Sequence, residues 1–419
     1  MNSATSIHSL PAFLEIKNGS KVKRTFSSSE MLRRIDALRR FMAETGVDAI
    51  LLTSMHNVHY YSDFLYCAFG RDFGLVVTQR SSTTISPAID FGQPYRRSFG
   101  DNLVYTDPGD ENFFQAVSHL LGQSRTIGIE FDHVTVESLE KLKAACPKAR
   151  FLDVGNHVMR TRQIKSQEEI ELIRTGAKIA VKGAEAACRA IADGVPEHEA
   201  AQASTNAMII EIACHLPHLE LRDTWTWLQS GIHTDGPHNP VTSRRIRRGD
   251  LLCMSCFPMI AGYNVALGRT LSMGVPSERG LKIWECNQAV RRKGLELIRP
   301  GARCCDIAAE LDALYAEAGL LEHRGPDHGR SFGIVNRYYG RETGIELRAD
   351  VTAELRSGMV VSLEPSVVIP QQMEGAGGYR EQDLLVVTEN GAENMTDFPA
   401  GPEHHILGAS HGRRSSATA

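Results

Sequence analysis

No stretch of the 419 residues reaches the roughly 18 consecutive apolar positions that a membrane-spanning helix needs. Charge of one sign is also lacking. Lys plus Arg number 46 and Asp plus Glu 50, a formal net charge of −4. That balance leaves no electrostatic footprint for nucleic acid or for an anionic membrane surface. The segment from Met1 to Asn18 is mixed and polar and lacks the apolar core of a secretory signal. Regular cysteine spacing is missing as well. The nine cysteines are an odd, scattered set, which favours free thiols in a reducing cytoplasm over a disulfide framework. What remains is ordinary globular composition, 42% apolar and 23% charged, enough for two or three domains at this length.

Two halves can be read. In the first, Met31, Ile35, Leu38 and Met42 fall at helical spacing and predict a helix over Ser29 to Glu44, stopped by Gly46. Val47 to Thr53 then reads as a buried strand, followed by strands at Phe73 to Val77, Thr83 to Ala88 and Thr126 to Ile129. Helices over Asn112 to Leu121 and Val136 to Ala145 complete an α/β layer domain ending near Val154. The second half opens on a capping box, Ser166 to Glu169. The following helix puts Ile170, Ile173, Ala177 and Ala180 on one face. Gly194 closes it, and Pro196 starts the next helix at Glu197. Strands at Leu251 to Phe257, Met359 to Ser362 and Leu384 to Val387 lie around helices at Gly280 to Leu297 and Cys305 to Ala318. The expected class is α/β (α+β), with domains over 1–160 and 161–410 and a disordered polar tail over 411–419.

Several motifs carry little. Cys253 and Cys256 form a CxxC with no second ligand pair, inside a strand-like run, so buried thiols are expected. Cys304 and Cys305 open a helix and read as structural. His404 and His405 read as a surface pair. Trp225 and Trp227 alternate in a half-buried strand pattern, for which core packing is the default. Gly375 to Gly378 is Gly-rich but lacks the spacing of a phosphate cradle.

Four segments set rare polar residues in tight, Gly- or Pro-punctuated sequence. They are SGIHTDGPHNP (Ser230 to Pro240), AGYNVALGRT (Ala261 to Thr270), GRSFG with YYGRE (Gly329 to Glu342), and SLEP with GGYREQD (Ser362 to Asp383). In this order they resemble the creatinase branch of the pita-bread superfamily, which also holds prolidase and aminopeptidase P. The resemblance extends through NVHYYSDFLYCAFGRDFGLVVT (Asn57 to Thr78) and FGQPYRRSFGDNLVYTD (Phe91 to Asp107) to nearly the whole chain. It implies a creatinase-type α/β domain followed by a pita-bread catalytic domain.

The resemblance also implies roles. His238 matches the catalytic histidine that shuttles a proton between water and the leaving nitrogen, and imidazole titrates near the pH where such work is done. Glu364 matches the glutamate that orients the scissile group or the water. Arg71 and Arg341 match the pair that clamps the substrate carboxylate with a planar fork. Phe69 matches a hydrophobic neighbour of the substrate. Arg71 is supplied by the partner subunit in the family, so a homodimer is implied.

The departures carry their own expectation. The metallopeptidase relatives hold two metal ions with two Asp, one His and two Glu. Here those positions read Ser255, Ala266, Arg330, Glu364 and Gln382, and one carboxylate cannot hold two divalent ions. No metal and no cofactor is expected. Where creatinases have ALERT, this chain has Gly268. Where they have GHSFG it has Arg330, and where they have REHD it has Gln382. Arg330 and Gln382 are accordingly expected to line the substrate site. Losing one carboxylate and gaining Arg330 makes the pocket more positive. A substrate guanidinium about 5 Å from an uncompensated Arg330 would be repelled by roughly 3 kcal/mol at an effective dielectric of 20. The expectation is therefore a metal-free hydrolase of a C–N bond in a small carboxylated amidine, imine or amide, with creatine a poor substrate. Two alternatives stand beside it: hydrolysis of an ectoine-type cyclic amidine, and a catalytically silent member that binds a carboxylated metabolite.

Overall fold

The computed structural model describes residues 11–67, 69–106, 111–334 and 344–408. The expected tail over 411–419 lies outside the described residues. The chain divides into two compact units, Met1–Thr161 and Arg162–Ala419.

The first unit is built on one mixed sheet. Its strands are β1 (Phe13–Leu14), β2 (Ala49–Leu52), β3 (Gly74–Thr78), β4 (Ser82–Pro87), β5 (Asp101–Tyr105), β6 (Thr126–Ile129) and β7 (Arg150–Asp153). They lie in the order β1-β5-β4-β3-β2-β6-β7, with β4/β5, β2/β6 and β6/β7 parallel. The helices are α1 (Ser28–Thr45), α2 (Met55–Ser62), α3 (Gln93–Arg97), α4 (Asn112–Leu121), α5 (Val136–Ala145) and α6 (Gly155–Gln163). The predicted first helix is α1. Ser27 caps it by accepting from the Glu30 amide, and Gly46 ends it at φ 68°. Its buried stripe is Met31, Ile35, Leu38 and Met42, the periodic set read from the sequence. The core joins Leu51, Val76, Ile85 and Ile127 of the sheet to Phe113 and Phe114 of α4.

The second unit begins with α7 (Gln167–Ala190) and α8 (Glu197–His215). Both halves of the Ser166/Glu169 capping box are formed. The two helices pack together, and α7 also covers the sheet. The strands are β8 (Trp225–Ser230), β9 (Leu251–Phe257), β10 (Met259–Ile260), β11 (Tyr263–Asn264), β12 (Leu267–Met273), β13 (Val360–Leu363), β14 (Ser366–Ile369), β15 (Gly377–Arg380), β16 (Asp383–Val387), β17 (Ala392–Asn394) and β18 (Ile406–Leu407). Helices α9 (Glu278–Leu297), α10 (Cys304–Glu317) and α11 (Pro402–His405) complete the unit. One sheet runs β18-β12-β9-β8 and another β13-β16-β17. Paired amide–carbonyl bonds of 2.9 Å between Gly268 and Gln382 join them.

A buried charge cluster lies behind that junction. The guanidinium of Arg269 is 0% exposed. It donates to Asp383 at 2.8 Å and to the carbonyls of Gly268, Gln382, Phe398 and Pro399 at 2.7–3.0 Å. Arg291 holds the other Asp383 oxygen at 2.5 Å. Burial alone would raise Asp383, but the two arginines outweigh it and keep its carboxyl below the usual range. Glu381 is different. Burial pushes its carboxyl up to about 7, with Arg269 opposing.

The expected surface pair His404–His405 is half wrong. His404 is exposed, but His405 is buried, stacked 5.5 Å from Phe398. The turn of α11 against β12 turns the second ring inward. Its Nδ1 has no hydrogen-bond partner among the described residues. Burial, with Arg269 and His404 adding to it, pushes the imidazole down to about 4. The folded state therefore binds fewer protons at His405 than the unfolded chain between pH 6.5 and 4, and stability is lost as the pH falls through that window. Urea unfolding of wild type and His405→Gln at pH 7 and pH 4 checks this. The wild type should lose up to about 3 kcal/mol more than the variant over that interval.

Candidate active site

Antiparallel pairing sets five residues in one row across the second unit. Trp227 of β8 pairs with Ser255 of β9, Ser255 pairs with Gly268 of β12, and Gly268 bridges to Gln382. Leu363 pairs with Asp383, so Glu364 falls on the next rung, opposite Gln382. Side chains two apart share a face of a strand. Trp225 and Trp227 therefore lie on the row's face of β8, while Thr226 and Leu228 are buried on the other.

Arg330 enters from a segment beside β13. Ser331 bridges to Val361, and the Ser362 amide donates to the Arg330 carbonyl at 2.8 Å. Gly329 makes that approach possible. Its φ is 148°, and a Cβ there would sit 2.0 Å from the Ser362 carbonyl oxygen. The consequence is a two-pronged ion pair. Arg330 Nη2 lies 2.7 Å from Glu364 Oε2, and Nε donates to Oε1 at 3.2 Å. Ser362 Oγ also donates to Oε1 at 2.5 Å.

This overturns one premise of the sequence reading. Arg330 is not an uncompensated positive charge, because Glu364 neutralises it. The repulsion argued above is replaced by competition. Glu364, the surviving acid of the row, already has both oxygens engaged. Gly268 supplies no side chain, so the row offers no free carboxylate to a guanidinium.

The same geometry tests a metal. Of the five positions that correspond to ligands in the metallopeptidases, Ala266 has no donor atom, Arg330 is a cation, and Glu364 is committed to Arg330 and Ser362. Ser255 and Gln382 are weak neutral donors. The residues do not fit a dinuclear centre. Among the described residues, no group of three or more His, Cys, Asp or Glu converges as a metal site.

His238 is exposed on the loop after β8, with its ring 5.5 Å from that of Trp227. Trp227 in turn meets Trp225 edge-on at 4.3 Å, and Trp225 stacks on Phe257 at 4.7 Å. All three aromatics are half-buried. The default of core packing for the tryptophans does not hold, because they form a wall beside the histidine. Cys253 and Cys256 are buried in β9, as read, and burial pushes the Cys256 thiol up to about 11.

The structure thus brings His238, Glu364, Arg330 and Gln382 into one unit. Arg341 lies outside the described residues. Phe69 and Arg71 belong to the first unit, where both are exposed. Phe69 is 84% exposed at φ 38°, and Arg71 acts electrostatically on Asp90. Three groups were missed by the sequence reading: the Arg269–Asp383–Glu381 cluster, Gln229, and Glu197. The signal for the first was a charged residue inside the apolar run LGRTLSM. Glu197 looked like an ordinary acid in a helix's first turn.

Residues 171–389 match the family model Metallopeptidase family M24, and residues 34–164 match the Creatinase/Prolidase N-terminal domain. The chain is 53% identical over 393 residues to a protein named creatinase from Bacillus sp. (strain B-0618), covering 93% of this chain and 96% of that one. It is 27% identical over 367 residues to an Xaa-Pro dipeptidase from Pyrococcus horikoshii, covering 87% and 97%. The solved prolidase of Pyrococcus horikoshii OT3 superposes with a TM-score of 0.76 at 26% identity, over 88% of this chain and 99% of that one.

Gly268 gives the site its own stability test. A Cβ there would meet the Gln382 Cβ at 2.9 Å and Ser255 Oγ at 3.3 Å. Gly268→Ala should cost about 1–3 kcal/mol by overpacking, read as a lower urea midpoint. A midpoint equal to wild type would show that the row opens freely.

Proposed function

The chain belongs to metallopeptidase family M24, in its creatinase branch with the pita-bread fold, and from that premise we propose that it hydrolyses a non-peptide C–N bond in a small carboxylated molecule without a metal ion. The kinship with a creatinase supports C–N hydrolysis. The Arg330–Glu364 pair carries the rest of the reading. With Glu364 engaged and Gly268 bare, the substrate's scissile end is neutral or anionic: an amide, an imine or an uncharged amidine.

In this mechanism His238 accepts a proton from a water molecule as its oxygen attacks the electrophilic carbon. A tetrahedral centre forms. The C–N bond then breaks, and the proton held by His238 passes to the departing nitrogen. Arg330, paired with Glu364, presents its remaining N–H groups to the developing oxyanion, where fixed charge is most effective. Arg341 and Arg71 clamp the carboxylate, Arg71 from a partner subunit, with Phe69 beside the substrate and Gln382 on the sheet side. The working form is then a cytoplasmic homodimer. The same ion pair also favours a second reading, a silent member that binds a carboxylated metabolite and does not turn it over.

A panel of creatine, linear amidines, ectoine-type cyclic amidines and N-acyl amino acids separates these readings. Hydrolysis of a carboxylated member other than creatine is expected. Thermal stabilisation without turnover would select the silent reading, and rapid creatine hydrolysis by the wild type would remove the argument from Arg330 and Gly268.

On the substrate found, His238→Ala should lower kcat by about 10²–10⁴ with substrate binding retained, while Arg71→Ala and Arg341→Ala raise KM. A wild-type kcat in His238→Ala refutes the assignment. Elemental analysis should find no stoichiometric Mn, Co or Zn, and chelators should leave the rate unchanged.

Gly268→Glu combined with Arg330→His and Gln382→His should shift activity toward creatine, measured as urea release. The three sites share one row, so their effects should be non-additive.

A further inference from the structure

Glu197 is the first residue of α8, and its carboxylate is completely buried. An acid in a first helical turn gains from the helix dipole while exposed to water. Burial is costly unless donors fill the carboxylate oxygens. Here they do, and among the described residues every one comes from the segment 230–242. Oε1 accepts from the Ser230 amide at 2.8 Å and from Ser230 Oγ at 2.7 Å. Oε2 accepts from the Thr242 amide at 3.0 Å and from Thr242 Oγ1 at 2.8 Å. His233 Nδ1 lies 3.1 and 3.2 Å from the two oxygens. One carboxylate therefore joins the two ends of the segment 230–242, on which His238 sits.

The middle of the segment has its own tie. Gln229 is buried at the end of β8. Its Nε2 donates to the carbonyls of Gly236 at 3.0 Å and Asn239 at 2.8 Å, on either side of His238. Asn239 Nδ2 returns to the His233 carbonyl at 3.0 Å and to Asp235 Oδ1 at 2.7 Å. Among the described residues no hydrogen bond fixes the His238 side chain; its neighbours are fixed instead.

We propose that Glu197 and Gln229 are positioning residues for His238, acting through the backbone of the 230–242 loop and touching no substrate. The loop is held in one arrangement before substrate arrives, which is the condition for an exposed acid–base to act at a defined distance. This rests on the catalytic reading of His238 given above.

Two shape-conserving variants test it, Glu197→Gln and Gln229→Met. Three readouts are taken on each: amide exchange of residues 231–241 by mass spectrometry, the pH profile of His238 carbethoxylation, and steady-state kinetics on the substrate found. Exchange of the loop should accelerate at least tenfold. The carbethoxylation profile of His238 should move relative to that of exposed His119 in the first unit. kcat should fall by about 10–100-fold with KM within about threefold. Exchange in α1 should stay as in wild type. Should Glu197→Gln fail to fold, Gln229→Met, which changes no charge, decides the matter. Unchanged loop exchange and an unchanged His238 profile in the folded variants overturn the proposal. Exchange and carbethoxylation need no turnover, so a wild type inactive on every panel compound would defeat the hydrolase reading and leave this test intact.

Discussion

The buried guanidinium of Arg269 is the interaction that the second unit depends on. It donates to Asp383 on β16, to the backbone at Gly268 and Gln382, and to the carbonyls of Phe398 and Pro399 near the C-terminal end of the described chain. One side chain thus holds together the two strands at the Gly268–Gln382 junction and the segment that returns β18 to β12. A planar, permanently charged donor with five N–H groups suits this place, where a lysine would leave carbonyls unpaired. Its charge is balanced by Asp383, which Arg291 also holds.

The cluster also sets opposing acid dependences. Glu381 holds its proton up to about 7, so its contribution to stability is full below its ordinary value of 4.5 and is lost as the pH rises toward 7. His405, neutral down to about 4, contributes in the opposite sense across nearly the same range. Two buried groups of opposite type, both within the field of Arg269, flatten the response of this region to mild acid.

Much of the fold was legible because it rests on short-range patterns. The apolar spacing of α1 and the run of β9 fix both ends of those elements within one residue, and the capping box fixes the start of α7, which ends at Ala190, four residues short of the Gly194 expected to close it. The site was legible in part. His238 and Glu364 stand out as ionisable side chains set in tight, Gly- or Pro-punctuated sequence, and the resemblance gave them roles. The pairing of Arg330 with Glu364 was not legible. The two are far apart in sequence and meet only because Gly329 lets its segment lie directly against Ser362. Counting charges gave Arg330 the right sign and the wrong surroundings. His405 was misread for a similar reason, since a histidine pair in a polar stretch carries no sign of which ring turns inward.

Gly268 and Arg269 are neighbours on β12, and alternation sends them to opposite faces of the strand. Gly268 lies in the row with Ser255 and Gln382, and Arg269 lies in the buried cluster. Replacing residue 268 in place leaves Arg269 in its cluster, whereas inserting or deleting a single residue in the strand ahead of it would exchange the two faces and turn the guanidinium away from its carbonyls.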